Sequence, residues 1–270
     1  MLILLPPSEG KSSPTRGKRL ALPELSFPSL TAAREEVLEG LVRLCGGEDP
    51  DTTAPDETPL DRARQVLGLG TTQTDQVRRN TRLLSAPTAR ADAIYTGVLY
   101  DALSPATLST SARRRASRWL AVTSSVFGLL RPGDRIPAYR LSGDVRLPGV
   151  GGIAAHWRAA LDPEVHEAAG AGLVVDLRST TYAAFWRPDR DLDPQVATIR
   201  VLQQVGSQRK VASHFNKATK GRLVRAMLES GEHPRTPAEL ADHVVGLGWK
   251  VEVDDQQRGG TRLDVVVEDL

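Results

Sequence analysis

The 270 residues have the composition of an ordinary globular protein, with 40% apolar and 25% charged residues and a formal net charge of +2. That size suits one large domain or two small ones, and so small a net charge does not by itself indicate a nucleic-acid-binding protein. No apolar run approaches the roughly 18 residues that a membrane span needs. Residues 1–5 lack the flanks of a signal peptide. We therefore expect a cytoplasmic protein with no membrane partner.

The cysteine and lysine content limits the kinds of functional site that the chain can form. Cys45 is the single cysteine, so it cannot form an intramolecular disulfide and makes a poor zinc site. No His-rich or carboxylate-paired signature appears, and we predict no metal and no other cofactor. The chain has six lysines against 29 arginines. Because lysine can deprotonate or act as a compact phosphate donor, we expect specific roles for Lys11, Lys217 and Lys220.

The chain opens with an apolar run, residues 1–5, which predicts a short buried strand followed by a loop over residues 6–12. Gly10-Lys11-Ser12 in that loop is similar to a phosphate-binding loop. The Walker pattern, however, requires a glycine where Leu5 stands, so we reject an NTPase. Two interpretations remain for Lys11, a functional lysine at the end of an inner strand or part of a simple surface loop.

The next hundred residues predict several elements around charged connections. Apolar residues at helical spacing predict a helix over residues 29–44. Residues 46–59 are an acidic connector rich in turn-forming residues. Residues 93–100 are apolar and β-rich, which predicts a strand that breaks at Gly97. Residues 109–118 form a basic stretch that leads to the next strand. Two interpretations remain for this stretch, a solvated face or contact with a phosphate.

Between the acidic connector and that strand, the pattern of residues 60–80 predicts two helices joined by a hairpin turn. Gly68 and Gly70 flank an apolar residue, as in helix-hairpin-helix modules, where glycines let backbone amides approach a DNA phosphate. Arg78 and Arg79 in the second helix would add contacts to the DNA backbone that do not depend on sequence. The alternative is a purely structural helical hairpin.

Residues 124–141 contain a predicted tight turn, and we expect the rest of the chain to be organised around it. A buried strand leads into it, and Pro132-Gly133-Asp134 has the residue types that a tight reversal needs. Arg131, Tyr139 and Arg140 stand close to this reversal in sequence, so we expect several rigid hydrogen-bond donors to form an anion site there. A solvated loop edge, or pairing of these arginines with nearby aspartates, is the alternative.

The C-terminal half predicts alternating strands and helices. A buried strand ends in Asp176-Leu177-Arg178-Ser179, and its charged residues must pair or line a pocket. A later helix begins with Lys217, Lys220 and Arg222 in its first turns, where cations oppose the helix dipole, which suggests a bound anion. The predicted elements are a helix over 153–161, strands over 172–179, 198–205 and 210–215, a helix over 237–247, and a hairpin of 249–253 with 262–267.

Several separate segments together resemble one bacterial family. They are residues 1–11, Tyr95-Thr96-Gly97, Gly128-Leu129-Leu130-Arg131-Pro132 with Tyr139-Arg140-Leu141, residues 176–179, and residues 217–222. In that order and spacing the chain resembles the YaaA family, named for a role in peroxide stress. The resemblance implies one compact α+β (mixed α/β) domain over residues 1–270, with a central mixed sheet, surrounding helices and an inserted helix-hairpin-helix element over about residues 29–90. It also implies a basic cleft that binds double-stranded or distorted DNA and limits oxidative damage.

Two functions follow from these residues. The first is a DNA-binding protein of the peroxide stress response, which uses Gly68, Gly70, Arg78, Arg79, Arg131, Arg140, Arg178, Lys217, Lys220 and Arg222. The second is an enzyme acting on a nucleotide-like small molecule, a nucleobase or a damaged base, with Lys11 as nucleophile or base and Tyr95, Tyr139, Arg178 and Ser179 around the substrate. Salt dependence separates the two, because nonspecific DNA binding weakens steeply as salt rises.

The candidate residues share a position at or just beyond the ends of predicted strands. Loops that leave the same edge of a sheet converge where ligands normally bind. We therefore predict that one positively charged pocket is formed by Lys11, Arg131, Tyr139, Arg140, Arg178 and Ser179. Neighbouring arginines would lower the pKa of Lys11, whereas a facing carboxylate such as Glu9 or Asp176 would keep it a charged anchor.

Overall fold

The structure, a computed structural model, describes residues 1–48, 57–205, 208–210, 213–254 and 260–268. Residues 49–56 of the predicted acidic connector and residues 211–212 of the strand predicted over 210–215 lie outside these ranges, as do residues 206–207, 255–259 and 269–270. Within the described residues, no helix is both long enough and apolar enough to cross a bilayer.

Short strands and helices alternate along the chain. The strands are β1 (Leu2–Leu5), β2 (Ala89–Arg90), β3 (Leu120–Ser124), β4 (Gly128–Leu130), β5 (Arg135–Ile136), β6 (Arg146–Leu147), β7 (Gly151–Gly152), β8 (Val174–Asp176), β9 (Val196–Val205), β10 (Gln208–Lys210), β11 (Lys250–Asp254) and β12 (Thr261–Glu268). The α-helices are α1 (Thr31–Gly46), α2 (Pro59–Val66), α3 (Thr74–Asn80), α4 (Ala91–Ile94), α5 (Val98–Leu103), α6 (Thr110–Trp119), α7 (Ile153–Ala169), α8 (Thr180–Ala183), α9 (Ser213–Ser230) and α10 (Pro237–Gly246).

A mixed sheet forms the centre of the fold. Its strands run in the order β11, β12, β9, β8, β1, β3, β4, and the short β10 pairs with β9. The innermost strand, β1, pairs in parallel with both β3 and β8, so that Ile3 stands opposite Leu120 and Leu4 opposite Asp176. The four residues of β1 have no exposed surface. Such a strand, covered on both faces, is expected to be a continuous apolar run, as it is here.

The predicted mixed α/β class with a central mixed sheet and surrounding helices is confirmed. The opening strand is β1, the helix predicted over residues 29–44 is α1, and the final hairpin is β11 with β12. The predicted tight reversal is also present, because the Asp134 N–H donates to the carbonyl of Arg131 at 3.1 Å. Residues 60–80 fold as two helices, α2 and α3, joined by a turn.

Two predicted strands are wrong. Residues 93–100 form the end of α4 and the start of α5 around a Tyr95-Thr96-Gly97 link, because Leu99, Tyr100 and Leu103 bury one face of a helix. A short apolar run cannot be assigned to strand or helix by periodicity alone. The strand predicted over residues 210–215 is also wrong, because β10 ends at Lys210 and α9 begins at Ser213.

Gly221 allows α9 to pack closely against α5, which gives a test of this packing. A Cβ at Gly221 would lie 2.2 Å from the Leu99 carbonyl oxygen and 3.0 Å from the Leu103 nitrogen. We expect Gly221→Ala to lower the free energy of unfolding by about 1–3 kcal/mol, because backbone atoms must move apart. The measurement is urea denaturation followed by circular dichroism.

The matched control is Gly246→Ala at the end of α10, where an added Cβ meets nothing within 4 Å. That variant should keep the wild-type stability to within about 0.5 kcal/mol or gain slightly. Equal unfolding free energies for the two variants would contradict the close approach of α9 to α5.

Candidate functional site

Three parallel strands deliver loops to one edge of the sheet. Because β1, β3 and β8 run in the same direction, the chain leaves all three at their common carboxyl edge. This is the edge at which open α/β sheets usually bind ligands. It carries the loop with Lys11 after β1, Ser125 after β3, and Arg178 after β8. We call the residues around Lys11 and Arg140 at this edge the Lys11 site.

The amine of Lys11 is held by main-chain and aromatic groups. Its Nζ donates to the Ser8 carbonyl at 2.7 Å and has a longer contact of 3.5 Å with the Glu9 carbonyl. The same atom lies 4.1 Å from the centre of the Tyr139 ring and 5.6 Å from that of Tyr95. Among the described residues, no carboxylate forms an ion pair with Lys11. Its position therefore does not depend on a counterion.

The loop that carries Lys11 is fixed to the link between α4 and α5. Lys11 forms an isolated antiparallel β-bridge with Tyr95. The Ser12 N–H donates to the Ile94 carbonyl at 2.8 Å, and the Thr96 N–H donates to the Ser8 hydroxyl at 3.1 Å. These bonds join both sides of the lysine to one neighbouring segment, so the amine is held by a defined backbone.

Tyr139 and Tyr95 lie beside the Lys11 amine, and Tyr100 packs against Tyr95. The Tyr139 hydroxyl lies 3.0 Å from that of Tyr95 and 2.9 Å from the Ser124 hydroxyl. The Tyr95 and Tyr100 rings stack with centroids 5.3 Å apart. Burial raises the pKa of each of these phenols and of Tyr182. They are therefore neutral donors and acceptors at physiological pH and supply no negative charge to the site.

Arg140 contributes a cation that is incompletely paired. Its Nη1 lies 3.5 Å from a carboxylate oxygen of Glu9, whose side chain is 84% exposed. Its Nε is buried and, in the part of the chain that the structure describes, has no hydrogen-bond acceptor. A buried donor without an acceptor costs free energy, so a bound acceptor here would be stabilising.

Asn80, the last residue of α3, fixes the backbone of Arg140. The Asn80 side-chain amide donates to the Arg140 carbonyl at 2.7 Å, and its oxygen accepts from the Arg140 N–H at 2.9 Å. Asn80 is fully buried. Helix α3 therefore supports the Lys11 site through its last residue.

The charge around Lys11 is unbalanced toward positive. Burial, followed by the Arg140 cation, lowers its pKa from 10.5 to about 7, with Glu9 acting in the opposite direction and Arg79 adding to the decrease. At pH 7 roughly half of the Lys11 side chains are therefore neutral amines. Of the two alternatives left open by the sequence, a lysine among guanidinium groups describes the structure and a lysine facing a carboxylate does not.

Arg178 and Lys220 reach the same edge of the sheet but are used internally. Arg178 Nε and Nη2 donate to the two oxygens of Asp176 at 2.9 and 2.7 Å, and Nη2 also donates to the Trp186 carbonyl. The Lys220 amine is buried and donates to the Leu177 carbonyl at 3.0 Å. Neither can contact a ligand without breaking these bonds. Ser179 follows on the exposed start of α8.

Arg131 lies at the opposite edge of the sheet, which corrects the prediction of one pocket containing all six residues. Its Nη1 donates to the carbonyls of Arg118 and Leu120, at the amino end of β3, at 2.8 and 3.0 Å. The cause is β4, which runs antiparallel to β3 and carries the chain away from Lys11 before the reversal. The chain then returns, so that Tyr139 and Arg140 do reach the Lys11 site.

The other residues predicted to bind DNA lie on the surface. Gly68 has φ +63°, which requires glycine, whereas Gly70 has φ −69° and does not. Arg78 is exposed and lies 3.6 Å from Asp75. Lys217 and Arg222 are exposed on α9, and neither is among the cations that lower the pKa of Lys11, whereas Arg79 is.

Two other groups bear on redox or metal chemistry. Burial raises the pKa of the Cys45 thiol to about 11, so the thiolate that reacts with peroxide is scarce at neutral pH. Asp162, His166 and Asp189 bring one potential ligand atom each within 4.8 Å of one another. His166 Nε2 lies 3.1 Å from a carboxylate oxygen of Asp189, so a hydrogen bond between the two side chains accounts for this arrangement.

Sequence reasoning missed the residues that assemble the site. Asn80 is 60 positions from Arg140, and the Ser8 hydroxyl is 88 positions from the Thr96 N–H it accepts. Ser124 was also missed, although it stands at the end of a predicted strand. A polar residue in an otherwise apolar stretch was the available signal, but it does not identify the partner.

The fold and the site together define a mixed α/β protein with a cationic, tyrosine-lined site at the carboxyl edge of its sheet. Residues 1–252 match the family described as peroxide stress protein YaaA. A UPF0246 protein of Streptomyces coelicolor is 49% identical over 272 residues, covering 100% of both chains. A UPF0246 protein of Corynebacterium efficiens is 41% identical over 96% of this chain and 97% of its own. The chain belongs to the YaaA family, which supports a role in the peroxide stress response.

The pKa of Lys11 can be measured by its reactivity. We expect native Lys11 to react with acetic anhydride with a midpoint near pH 7, because only the neutral amine is acylated and the pKa of Lys11 is about 7. Arg140→Met should raise this midpoint by removing a cation, and Glu9→Gln should lower it by removing an anion. The measurement is mass spectrometry of digested protein after pulses at a series of pH values.

The exposed Lys18 provides an internal reference in every digest. A Lys11 midpoint in the ordinary range of lysine, about 10, would contradict the description of its surroundings. Shifts of the same sign in both variants would contradict the assigned electrostatic causes.

Proposed function

We propose that this protein binds DNA as part of the peroxide stress response, through the Lys11 site together with the α2–α3 pair. The observation that carries the proposal is the excess of positive charge around the Arg140 guanidinium. Arg140 and Arg79 both lower the pKa of Lys11, and the Glu9 carboxylate that partly offsets them is paired with Arg140 and belongs to an exposed side chain. A phosphate oxygen would provide the acceptor that buried Arg140 Nε lacks.

The ion pair between Arg140 and Glu9 does not block such a phosphate. Its separation is 3.5 Å and Glu9 is 84% exposed, so this is a surface pair of the kind that contributes little to stability. A DNA phosphate can displace the Glu9 carboxylate while Asn80 continues to hold the Arg140 backbone. Release of counterions from DNA would then favour binding at low salt.

The turn between α2 and α3 adds a second contact surface. Gly68 takes the left-handed conformation that closes the turn, and Gly70 is exposed with an ordinary extended backbone. An added Cβ at Gly70 would come no closer than 3.7 Å to the Gln73 side chain. Since the fold does not require glycine at this position, close approach of a DNA phosphate is a functional reason for it.

The salt dependence of DNA binding tests the contribution of Arg79. We expect Arg79→Gln to reduce the slope of log K against log salt by about one, the value for a single phosphate contact. The control is Arg118→Gln, an exposed arginine at the opposite edge of the sheet, which should leave the slope unchanged. Titration of a labelled duplex by fluorescence anisotropy gives both slopes. Identical slopes in the two variants would remove Arg79 from the DNA surface.

Gly70→Val tests the turn without disturbing the fold. Because Gly70 has φ −69° and open space around its Cα, the variant should melt within a few degrees of the wild type. Its affinity for duplex DNA should fall by about tenfold, roughly 1.4 kcal/mol, because the side chain separates the turn from the phosphate. Gly246→Ala serves as the control. An unchanged affinity in a normally melting Gly70→Val protein would leave the α2–α3 turn with a structural role alone.

A second candidate function is an enzyme acting on a nucleotide, a nucleobase or a damaged base. It is favoured by one observation: the Lys11 amine, whose pKa burial and Arg140 lower to about 7, lies 4.1 Å from the centre of the Tyr139 ring and 5.6 Å from that of Tyr95. A neutral amine is a nucleophile or a base, whereas a simple phosphate anchor would be fully charged. Turnover of a small substrate would be much less sensitive to salt than nonspecific DNA binding.

A further inference from the structure

We propose that Lys11 forms an imine with an aldehyde carried next to a phosphate, specifically the C1 aldehyde of an abasic deoxyribose in DNA. This inference rests on the proposed DNA binding and names the substrate class of the same site. The geometry points to it because the Lys11 amine lies against the Tyr139 ring, is held by main-chain carbonyls and has no carboxylate partner among the described residues.

The hydrogen bonds of Lys11 suit a nucleophilic amine. Its two acceptors are the carbonyls of Ser8 and Glu9, at 2.7 and 3.5 Å, and a neutral amine has two N–H bonds and one lone pair. The carboxylate of Glu9 is directed to Arg140 instead of to Lys11. The lowered pKa, about 7, makes a large neutral fraction available at physiological pH. Lysines of this kind form Schiff bases with carbonyl substrates.

The Tyr139 ring would stabilise the product. A protonated imine keeps a positive charge on Nζ, and that atom lies 4.1 Å from the ring centre. A cation over a desolvated aromatic face is stabilised by the negative face of the ring. The Tyr139 hydroxyl is already bonded to Tyr95 and Ser124, so the ring cannot turn away without breaking buried hydrogen bonds.

The neighbouring cations select an aldehyde that carries a phosphate. Arg140 presents a buried, unpaired Nε, and Arg79 is close enough to affect Lys11 electrostatically. In DNA an abasic deoxyribose has phosphates on both sides and no base to hinder approach to C1. Free 2-deoxyribose 5-phosphate has the same two groups, so the chemistry is shared and the experiment must separate the two sources.

The reaction is balanced without an oxidant or a reductant. The Lys11 lone pair forms a bond to C1 of the ring-opened sugar, and the carbonyl oxygen takes up a proton as the amine loses one. The hydroxyl group of the resulting carbinolamine then takes up a proton and leaves as water while nitrogen forms its second bond to carbon, which gives the protonated imine. The products are the imine and one water molecule, and hydrolysis reverses the step.

Burial also lowers the pKa of Lys220, to about 8, but its surroundings do not suit this chemistry. Its amine is buried and donates to the carbonyls of Leu177 and Arg178 at 3.0 and 3.4 Å. With six lysines in the chain, peptide mapping can assign an adduct to one of them without ambiguity.

The test is borohydride trapping on the full chain. The protein is incubated with a labelled duplex that contains one abasic site, and sodium borohydride then reduces any imine to a stable secondary amine. The expected result is a covalent protein–DNA adduct that maps to Lys11, is absent with the intact duplex, and is absent with a duplex whose abasic site lacks the aldehyde. Lys11→Arg should lower the yield at least tenfold, and the exposed Lys18→Arg should not.

Each outcome decides the inference. A wild-type protein that binds the intact duplex but gives no adduct overturns the imine and leaves the proposed DNA binding intact. A Lys11 adduct in a protein that has no affinity for intact duplex supports the imine and contradicts the proposed DNA binding. An adduct on another lysine overturns the inference, and mapping on wild-type protein keeps it testable if Lys11→Arg fails to fold. Trapping of free 2-deoxyribose 5-phosphate but not of abasic duplex overturns DNA as the source of the aldehyde.

Discussion

The parallel pairing of β1 with both β3 and β8 is the constraint on which the site depends. The four residues of β1 are buried on both faces of the sheet, so β1 cannot shift or turn over without exposing leucine and isoleucine side chains. Parallel pairing brings the ends of the three strands to one edge. The loop after β1 is then fixed to the Tyr95 segment, which leaves the Lys11 amine over the Tyr139 ring.

Sequence patterns were sufficient for the elements that bury apolar residues and insufficient for strand direction. The run Leu2–Leu5 and the final hairpin follow from composition and turns alone. Arg131 shows the limit, because an apolar run indicates a strand but not which way it points. With β4 antiparallel to β3, residues nine positions apart, Arg131 and Arg140, lie at opposite edges. The Asn80 contact with Arg140 depends on tertiary packing and has no local sequence signal.

The electrostatics of Lys11 oppose folding and therefore require a functional explanation. The pKa of Lys11 is about 7 in the folded protein, whereas an unperturbed lysine has a pKa of 10.5. Between pH 7 and pH 10.5 the unfolded chain therefore binds more protons than the folded protein. The sign follows directly: the unfavourable contribution is fully present below about pH 7 and is relieved as pH rises toward about pH 10. A methionine at this position would fill similar volume without that cost. Stability alone does not select a lysine here.

A comparison of two cation groups at the same edge of the sheet extends this point. Arg178 and Lys220 have acceptors for their main donors, in the carboxylate of Asp176 and in buried carbonyls, and so complete the interior. Among the described residues, Arg140 Nε is buried without an acceptor, and no carboxylate forms an ion pair with Lys11, because the Glu9 carboxylate is paired with Arg140. The same fold thus satisfies one set of cations and leaves the other unsatisfied. Since a buried donor without an acceptor is costly, the phosphate of the proposed DNA complex would stabilise the second set and not the first.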